Sequence, residues 1–282
     1  MTEVIIPLLI LVFGFSVGSF LNVVIRRGIR GESLLGRSHC ESCGRVLSAQ
    51  ELVPILSFFI QRGKCLGCKS SFSIEYPLVE FATALLFAAS AILFLPADLA
   101  EFTLRGAVVF ILILVGISAA IVVFVVDLKE KIIPDSAFFV LFLLGVAALF
   151  LRRFPDEFFV GDLRESAAFI DVFSAILFSS FFACLWFFSR GTWMGFGDAK
   201  LVLAVSLILG WSASLAAFLF SFWIGGAAGG VLLAFRRSTM KSTIPFGPFI
   251  LFGSVVAYFF AGYFFETSRF LEGMYEIFYY SF

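Results

Sequence analysis

The sequence predicts an all-α polytopic membrane protein of about eight transmembrane helices, with a small polar insertion after the first helix. Three observations carry that expectation. Of the 282 residues, 61% are hydrophobic and only 14% are charged, against about 25% charged in soluble domains. The apolar residues fall in uncharged or nearly uncharged runs, several long enough to cross a bilayer, which takes roughly 20 residues per helix. Those runs show no period-two alternation, which argues against a lipid-facing barrel. A soluble globule of this length would leave too much apolar surface in water, and a chain this hydrophobic does not stay disordered. The 20 Lys and Arg balance 20 Asp and Glu, so nucleic acid is not an expected partner.

The runs cover residues 4–25, 78–97, 106–126, 136–151, 167–188, 201–235 and 249–265. The run at 201–235 is longer than one span needs. Gly210-Trp-Ser-Ala-Ser214 interrupts it with a glycine, an interfacial tryptophan and two hydroxyls, so it is divided there. Eight helices result, with both termini on one side. The first run resembles a secretion signal only superficially. Met1-Thr2-Glu3 supplies no basic segment before it, and it is too long for the apolar part of a signal. It is expected to be a retained helix.

Orientation follows from the basic residues near helix ends. With the N-terminus outside, segments 26–77, 127–135, 189–200 and 236–248 face the cytoplasm and carry 15 of the 20 basic residues. Only Arg105, Arg152, Arg153, Arg164 and Arg269 lie on the other side. Both termini are therefore expected outside. The domain division this implies is 1–25 as the first transmembrane helix, 26–77 as a cytoplasmic four-cysteine domain, and 78–282 as a membrane domain of seven helices.

The 26–77 segment contains Cys40-Glu-Ser-Cys43 and Cys65-Leu-Gly-Cys68. Two C-x-x-C pairs separated by 21 residues lie close to the usual four-cysteine zinc spacing. Each pair forms a knuckle with converging thiolates, and two knuckles make a closed tetrahedral set. A disulfide or redox role is the weaker reading in a reducing cytoplasm. Gly44, Gly63 and Gly67 suit the tight turns, and a closed site of this kind organises a loop too small to build its own core. His39 reads as a surface residue, and Cys184 as a small side chain within an apolar run.

Ionisable residues at or within membrane spans are functional candidates. Asp127 ends the third helix, and Asp198 opens the sixth in Gly195-Phe-Gly-Asp198-Ala-Lys200. Both fall at cytoplasmic helix ends. Two carboxylates brought together can share one proton, one activating a water while the other polarises a carbonyl. Gly195 and Gly197 would allow close backbone approach. A carboxylate near a helix start is favoured by the macrodipole, so Asp198 is expected to be the base. Asp127 lies where the dipole opposes it, so something else must hold it there. Asp135 reads as an N-cap. Glu80 and Asp171 read as structural residues that snorkel to the interfaces.

These motifs in register resemble the type IV prepilin peptidase family. The resemblance runs through Gly18-Ser-Phe-Leu-Asn-Val-Val-Ile-Arg26, the cysteine pairs with Leu52-Val-Pro-Ile-Leu-Ser57 and Arg62-Gly-Lys-Cys65, then Tyr76-Pro-Leu-Val-Glu80. It continues through Asp127 with Ile133-Pro-Asp135, Gly195-Phe-Gly-Asp-Ala-Lys200 and Ile244-Pro-Phe-Gly-Pro248. The resemblance implies an inner-membrane aspartyl protease of the GxGD type, with Asp127 and Asp198 as its catalytic pair. Such an enzyme cuts the short basic leader from prepilins and type II secretion pseudopilins on the cytoplasmic side. It then methylates the new N-terminus with S-adenosylmethionine. The resemblance also assigns the four cysteines to zinc. Glu41 stands where many members have proline, and the 41 phenylalanines are unusual. No G-x-G-x-x-G motif follows a strand, so no methyl-donor residue is assigned.

Two other classes compete. A transporter would place charges at mid-bilayer and break helices in matching halves, neither of which is seen. A general intramembrane protease would give the cysteine module no role. Acidic Glu130 and Asp135 are expected to meet the basic leader.

Overall fold

The computed structural model describes residues 2–95, 103–153, 167–235 and 244–265. Eight long helices run through them: α1 (Thr2–Arg30), α3 (Glu75–Phe94), α4 (Leu104–Glu130), α5 (Asp135–Arg153), α6 (Ala167–Ser189), α7 (Phe196–Leu209), α8 (Trp211–Ala234) and α9 (Gly247–Phe265). A 3-10 turn at Ala49–Leu52 and the short α2 (Leu56–Ile60) lie in the cysteine-bearing insertion. There is no strand among the described residues, only two isolated bridges, His39 to Val46 and Lys64 to Ser71. Five helices, α1, α3, α4, α6 and α8, are long and apolar enough to cross a membrane. Their outer faces are bare hydrocarbon, as Leu9 (63% exposed) and Ile92 (68%) illustrate. Such faces suit lipid and not water. Several residues of the orientation argument, Arg164, Arg236, Arg237, Lys241 and Arg269 among them, lie outside the described residues.

The chain divides into two compact units, Met1–Val126 and Asp127–Phe282. In the first, α1 lies against α3 at glycine-width separation. A Cβ on Gly14 would sit 2.6 Å from Cα of Ala84, and one on Gly18 equally close to Cα of Glu80. Glycines four residues apart share one helix face, so this is the close small-residue packing that membrane helices use in place of a hydrophobic drive. Phe87 and Ala91 of α3 extend that contact to Phe110 and Leu114 of α4. The insertion returns to the helix pair through Arg27, whose guanidinium donates to the carbonyls of Ser33 (3.0 Å), Leu35 (2.8 Å) and Arg37 (3.1 Å).

In the second unit the short α7 is central, with Leu201, Val202 and Ala204 fully buried. It packs against α5, α6, α8 and α9. Gly145 of α5 permits the approach, because a Cβ there would meet Cβ of Leu207 at 2.7 Å. The expected division of the long run falls at Gly210, whose φ of +80° separates α7 from α8. Asp171 explains how that break survives in an apolar setting. It is 3% exposed, and its Oδ1 accepts the Trp211 N–H at 2.9 Å, which satisfies a donor at the start of α8. Asp171 therefore does not snorkel, although its role is structural as expected.

Part of the phenylalanine excess has a packing role. Phe182, 1% exposed, contacts the rings of Phe218, Phe222 and Phe246 at centroid distances of 5.7, 5.8 and 6.0 Å. Phe178 stacks on Trp211 at 5.6 Å. This aromatic seam ties α6, α8 and the segment leading into α9 together, where ring pairs contribute about 0.5–1.5 kcal/mol beyond their area.

Candidate active site and metal centre

Asp127 occupies the last turn of α4, and its carbonyl takes the N–H of Lys131, which closes the helix at φ +55°. Its carboxylate is 4% exposed and accepts the backbone N–H of Gly247 at 3.0 Å. Gly247 is the first residue of α9. The C-terminal dipole of α4 is thus answered by the N-terminal dipole of another helix. Pro248 follows in the first turn, where its missing N–H removes no bond. Gly247 is sterically required as well, since a Cβ there would meet Oδ2 of Asp127 at 2.6 Å.

Asp198 lies in the first turn of α7, 7% exposed, and its Oδ2 accepts the Gly195 N–H at 3.1 Å. The Asp127 carboxylate is close enough to act on it electrostatically. Both carboxylates are therefore buried within the same unit, near enough for one charge to act on the other, and each is held by one backbone N–H from the start of a helix. The dipole asymmetry expected from α4 alone is offset by α9. The two flanking glycines differ in what they do. A Cβ on Gly197 would press on Ile133 at 3.1 Å, whereas one on Gly195 would meet nothing closer than 3.7 Å. Gly195 contributes its N–H, which any residue but proline would have.

Asp135 departs from expectation. It is the first helical residue of α5, and its Oδ1 binds Nζ of Lys200 at 2.8 Å in a largely exposed ion pair. Lys200 also lies 5.5 Å from the ring centroid of Phe196. A cation from the same unit thus already engages one of the two acids expected to meet a basic leader.

The four cysteines converge, and all are free thiols with ligand atoms within 4.8 Å of one another. Cys40 and Cys68 place their Sγ atoms 3.8 Å apart. A tetrahedral zinc with bonds of about 2.3 Å needs sulfurs about 3.8 Å apart, so the donor set fits. The two knuckles are built alike, a short repeat too degenerate to see in the sequence. Cys40 and Cys65 each donate an N–H at 2.9 Å to the carbonyl five residues on, at Arg45 and Ser70. Their own carbonyls accept from Gly44 and Lys69 at 2.9 and 3.0 Å. The left-handed position of the second knuckle is Lys69 (φ +62°) and not Gly67, which instead makes room for Arg45. Burial resists ionising the Cys40 thiol. The backbone N–H groups of Cys43 and Ser42 and the Ser70 hydroxyl outweigh it and bring the thiol down to about 6. A thiolate is what a metal binds. His39 is exposed and outside the set, and Cys184 is exposed on α6.

Glu80 departs from expectation in its placement, although its role is structural as expected. It is 7% exposed and its Oε2 accepts the N–H of Ile55 at 2.7 Å, so it does not snorkel. Ile55 has φ +58° and ψ −54°, and Leu56 N–H bonds Pro54 O at 2.6 Å across it. This is the rarer, strained hand of γ-turn. The sequence signal for it is Pro54 before a β-branched residue, which nothing marks as left-handed. Gly247 carried a plainer signal, a Gly-Pro step opening an apolar run.

Two family models match the chain: the bacterial peptidase A24 N-terminal domain over residues 12–94, and the type IV leader peptidase family over 114–230. A prepilin leader peptidase/N-methyltransferase of Bacillus subtilis (strain 168) is 34% identical over 251 residues, 89% of this chain and 92% of that one. A protein of the same name from Burkholderia pseudomallei (strain 1026b) is 31% identical over 89% and 84% of the two chains. One from Pseudomonas aeruginosa is 27% identical over 88% of each. No solved structure matches.

Proposed function

The chain belongs to the type IV leader peptidase family, and from that premise we propose how its residues carry the reactions. It removes the leader from prepilins and N-methylates the residue so exposed. Asp127 and Asp198 are the catalytic pair, a reading supported chiefly by two buried carboxylates near enough to interact electrostatically, each held by a helix-start N–H. Two such groups share one proton, because adjacent like charges out of water repel strongly. The ionised member takes a proton from a water whose oxygen adds to the scissile carbonyl. The protonated member donates to the carbonyl oxygen. Collapse of the tetrahedral species breaks the C–N bond, and the proton held by the base passes to the leaving amine. Which aspartate begins as the base is a property of the coupled pair.

The protein is a multi-pass protein of the inner membrane, a reading supported by its long apolar helices and its family. Both termini outside and the dyad at the cytoplasmic face follow from the basic residues. Prepilins are the substrates, and type II secretion pseudopilins share their chemistry. An apolar pilin helix in the bilayer would leave its basic leader at the interface, where Glu130 and the Lys200-paired Asp135 face it. The four cysteines can hold a metal, and zinc is the ion their number and softness favour. Its role there is structural, organising 26–77 as an insertion after the first helix (1–25), while 78–282 carries the dyad. The methyl group comes from S-adenosylmethionine, which supplies a carbon activated by a sulfonium leaving group. The chain must deliver a neutral amine whose lone pair takes that carbon and whose extra proton goes to water.

Purified protein in nanodiscs, given a prepilin and S-adenosylmethionine, should yield a product lighter by the leader and heavier by one methyl group in mass spectrometry. An uncleaved prepilin after prolonged incubation would refute the reading.

A further inference from the structure

The cysteine module carries an apolar face that no described residue covers. Leu56, Phe59 and Ile60 of α2 are 60%, 66% and 80% exposed. Positions 56, 59 and 60 fall on one side of a helix, whereas the ring of Phe58 lies against Gly63 within the module. Arg62 and Lys64, both exposed, follow directly. The level at which α2 starts is set by Glu80. The Arg26–Glu75 ion pair, 3.0 Å long, marks the polar end of the α1–α3 helix pair. Glu80 lies five residues further along α3, about 7.5 Å deeper, and packs against Gly18 of α1. Its Oε2 holds the Ile55 N–H at 2.7 Å. Even with the Glu80 side chain leaning back toward the start of its helix, this draws the first residues of α2 inside the level of the charged pair. The backbone there is suited to a medium without water. Pro54 has no N–H, Ile55 gives its own to Glu80, Leu56 to the Pro54 carbonyl at 2.6 Å, and Ser57 to the Val53 carbonyl at 3.0 Å. Four residues in a row leave no donor bare, where a helix start ordinarily leaves several to water. Backbone at the level of lipid has to be satisfied internally, and the strained turn at Ile55 achieves it.

We propose that α2 is a monotopic membrane anchor: Leu56, Phe59 and Ile60 enter the acyl chains of the leaflet that meets the C-terminal end of α1, and Arg62 and Lys64 meet its anionic headgroups. Lipid is the occupant because the module is tied to the bilayer at both ends, by α1 and by α3. The lipid-facing surface of α3 also begins at this level, with Leu78 and Phe81 57% and 49% exposed on either side of Glu80 in the sequence. Apolar side chains of interfacial helices sit about 5–10 Å into the boundary between headgroups and acyl chains, which is where Glu80 holds the start of α2. Basic residues just beyond such an apolar face are drawn to anionic lipid. The cysteine module is then held at a fixed height over the leaflet by three attachments, α1, α2 and α3.

The test places a photoreactive side chain on this face in the full chain. Phe59→benzoylphenylalanine and, separately, Ile60→benzoylphenylalanine are reconstituted in nanodiscs of phosphatidylethanolamine and phosphatidylglycerol, with a prepilin added, and irradiated. Mass spectrometry should find a phospholipid joined to the α2 peptide in both. The same substitution at Ser42, an exposed knuckle residue beside the Glu41 that pairs with Arg30 at 2.7 Å, should give no lipid adduct. Phosphatidylglycerol should exceed its bulk share among the adducts, by up to about fivefold per cation, and Arg62→Gln with Lys64→Gln should return it to that share. Each variant is compared with the wild type by thermal melting, and the Ile60 variant decides if the Phe59 variant melts early. Adducts with the prepilin or with a second copy of the chain, in place of lipid, overturn the proposal. So does the absence of any lipid adduct at both positions, or equal lipid labelling at Ser42. Adducts at the bulk lipid ratio in the wild-type background overturn the part given to Arg62 and Lys64.

Discussion

Replacing Gly247 by alanine places a Cβ 2.6 Å from Oδ2 of Asp127, nearer than real Cβ atoms approach anything. One of the two must move, and the carboxylate is the softer partner, since Gly247 begins a helix. Its displacement breaks the 3.0 Å bond from the Gly247 N–H. Hydrogen bonds to charged groups contribute about 1.5–3 kcal/mol, which corresponds to about a tenfold to hundredfold loss of rate if the bond holds the reacting geometry. The helix itself gains, because alanine is favoured over glycine by up to about 1 kcal/mol. Leader-release kcat and thermal melting, measured side by side, should both fall: kcat by about tenfold to hundredfold, and Tm modestly, because a helix gain of up to about 1 kcal/mol offsets only part of the lost bond. Gly226→Ala in α8, where a Cβ meets nothing within 4 Å, is the control and should keep wild-type kcat. A Gly247→Ala enzyme with wild-type kcat would refute the claim that α9 positions Asp127.

Other perturbations follow from the same structure. Asp171→Ala leaves the Trp211 N–H without its acceptor in an apolar setting and should destabilise by about 1–3 kcal/mol, read as a lower Tm with kcat per folded molecule retained. Stripping the metal, or Cys65→Ser, should raise hydrogen exchange through 38–72 while amides of α7 stay protected, because the module has few buried apolar groups of its own. Lys200→Met breaks an exposed ion pair with Asp135 and should change stability by less than about 1 kcal/mol in denaturant titration.

The helix count was legible because hydropathy in a membrane chain reports span length directly, and the break at Gly210 was legible because glycine, tryptophan and two hydroxyls coincide there. What escaped was the partner of each polar group. Glu80 and Asp171 looked like interfacial carboxylates, since a sequence shows burial cost but not the N–H that offsets it. Those donors, Ile55 and Trp211, lie 25 and 40 residues away. Asp127 presented the converse case. Its unfavourable place at a helix end showed that a partner was needed, yet Gly247, 120 residues on, could be found only by folding the chain. The left-handed Lys69 escaped because only its register with Gly44 reveals the knuckle repeat.

The central claim is that Asp127 and Asp198 act as one unit. It is tested most directly by Asp127→Asn and Asp198→Asn, which keep shape and remove the charge and the shared proton. Leader release from a prepilin should fall by at least about a thousandfold in each, with Tm near wild type, and the double variant should be no worse than either single one. Substantial cleavage surviving either substitution in a folded protein would contradict the dyad.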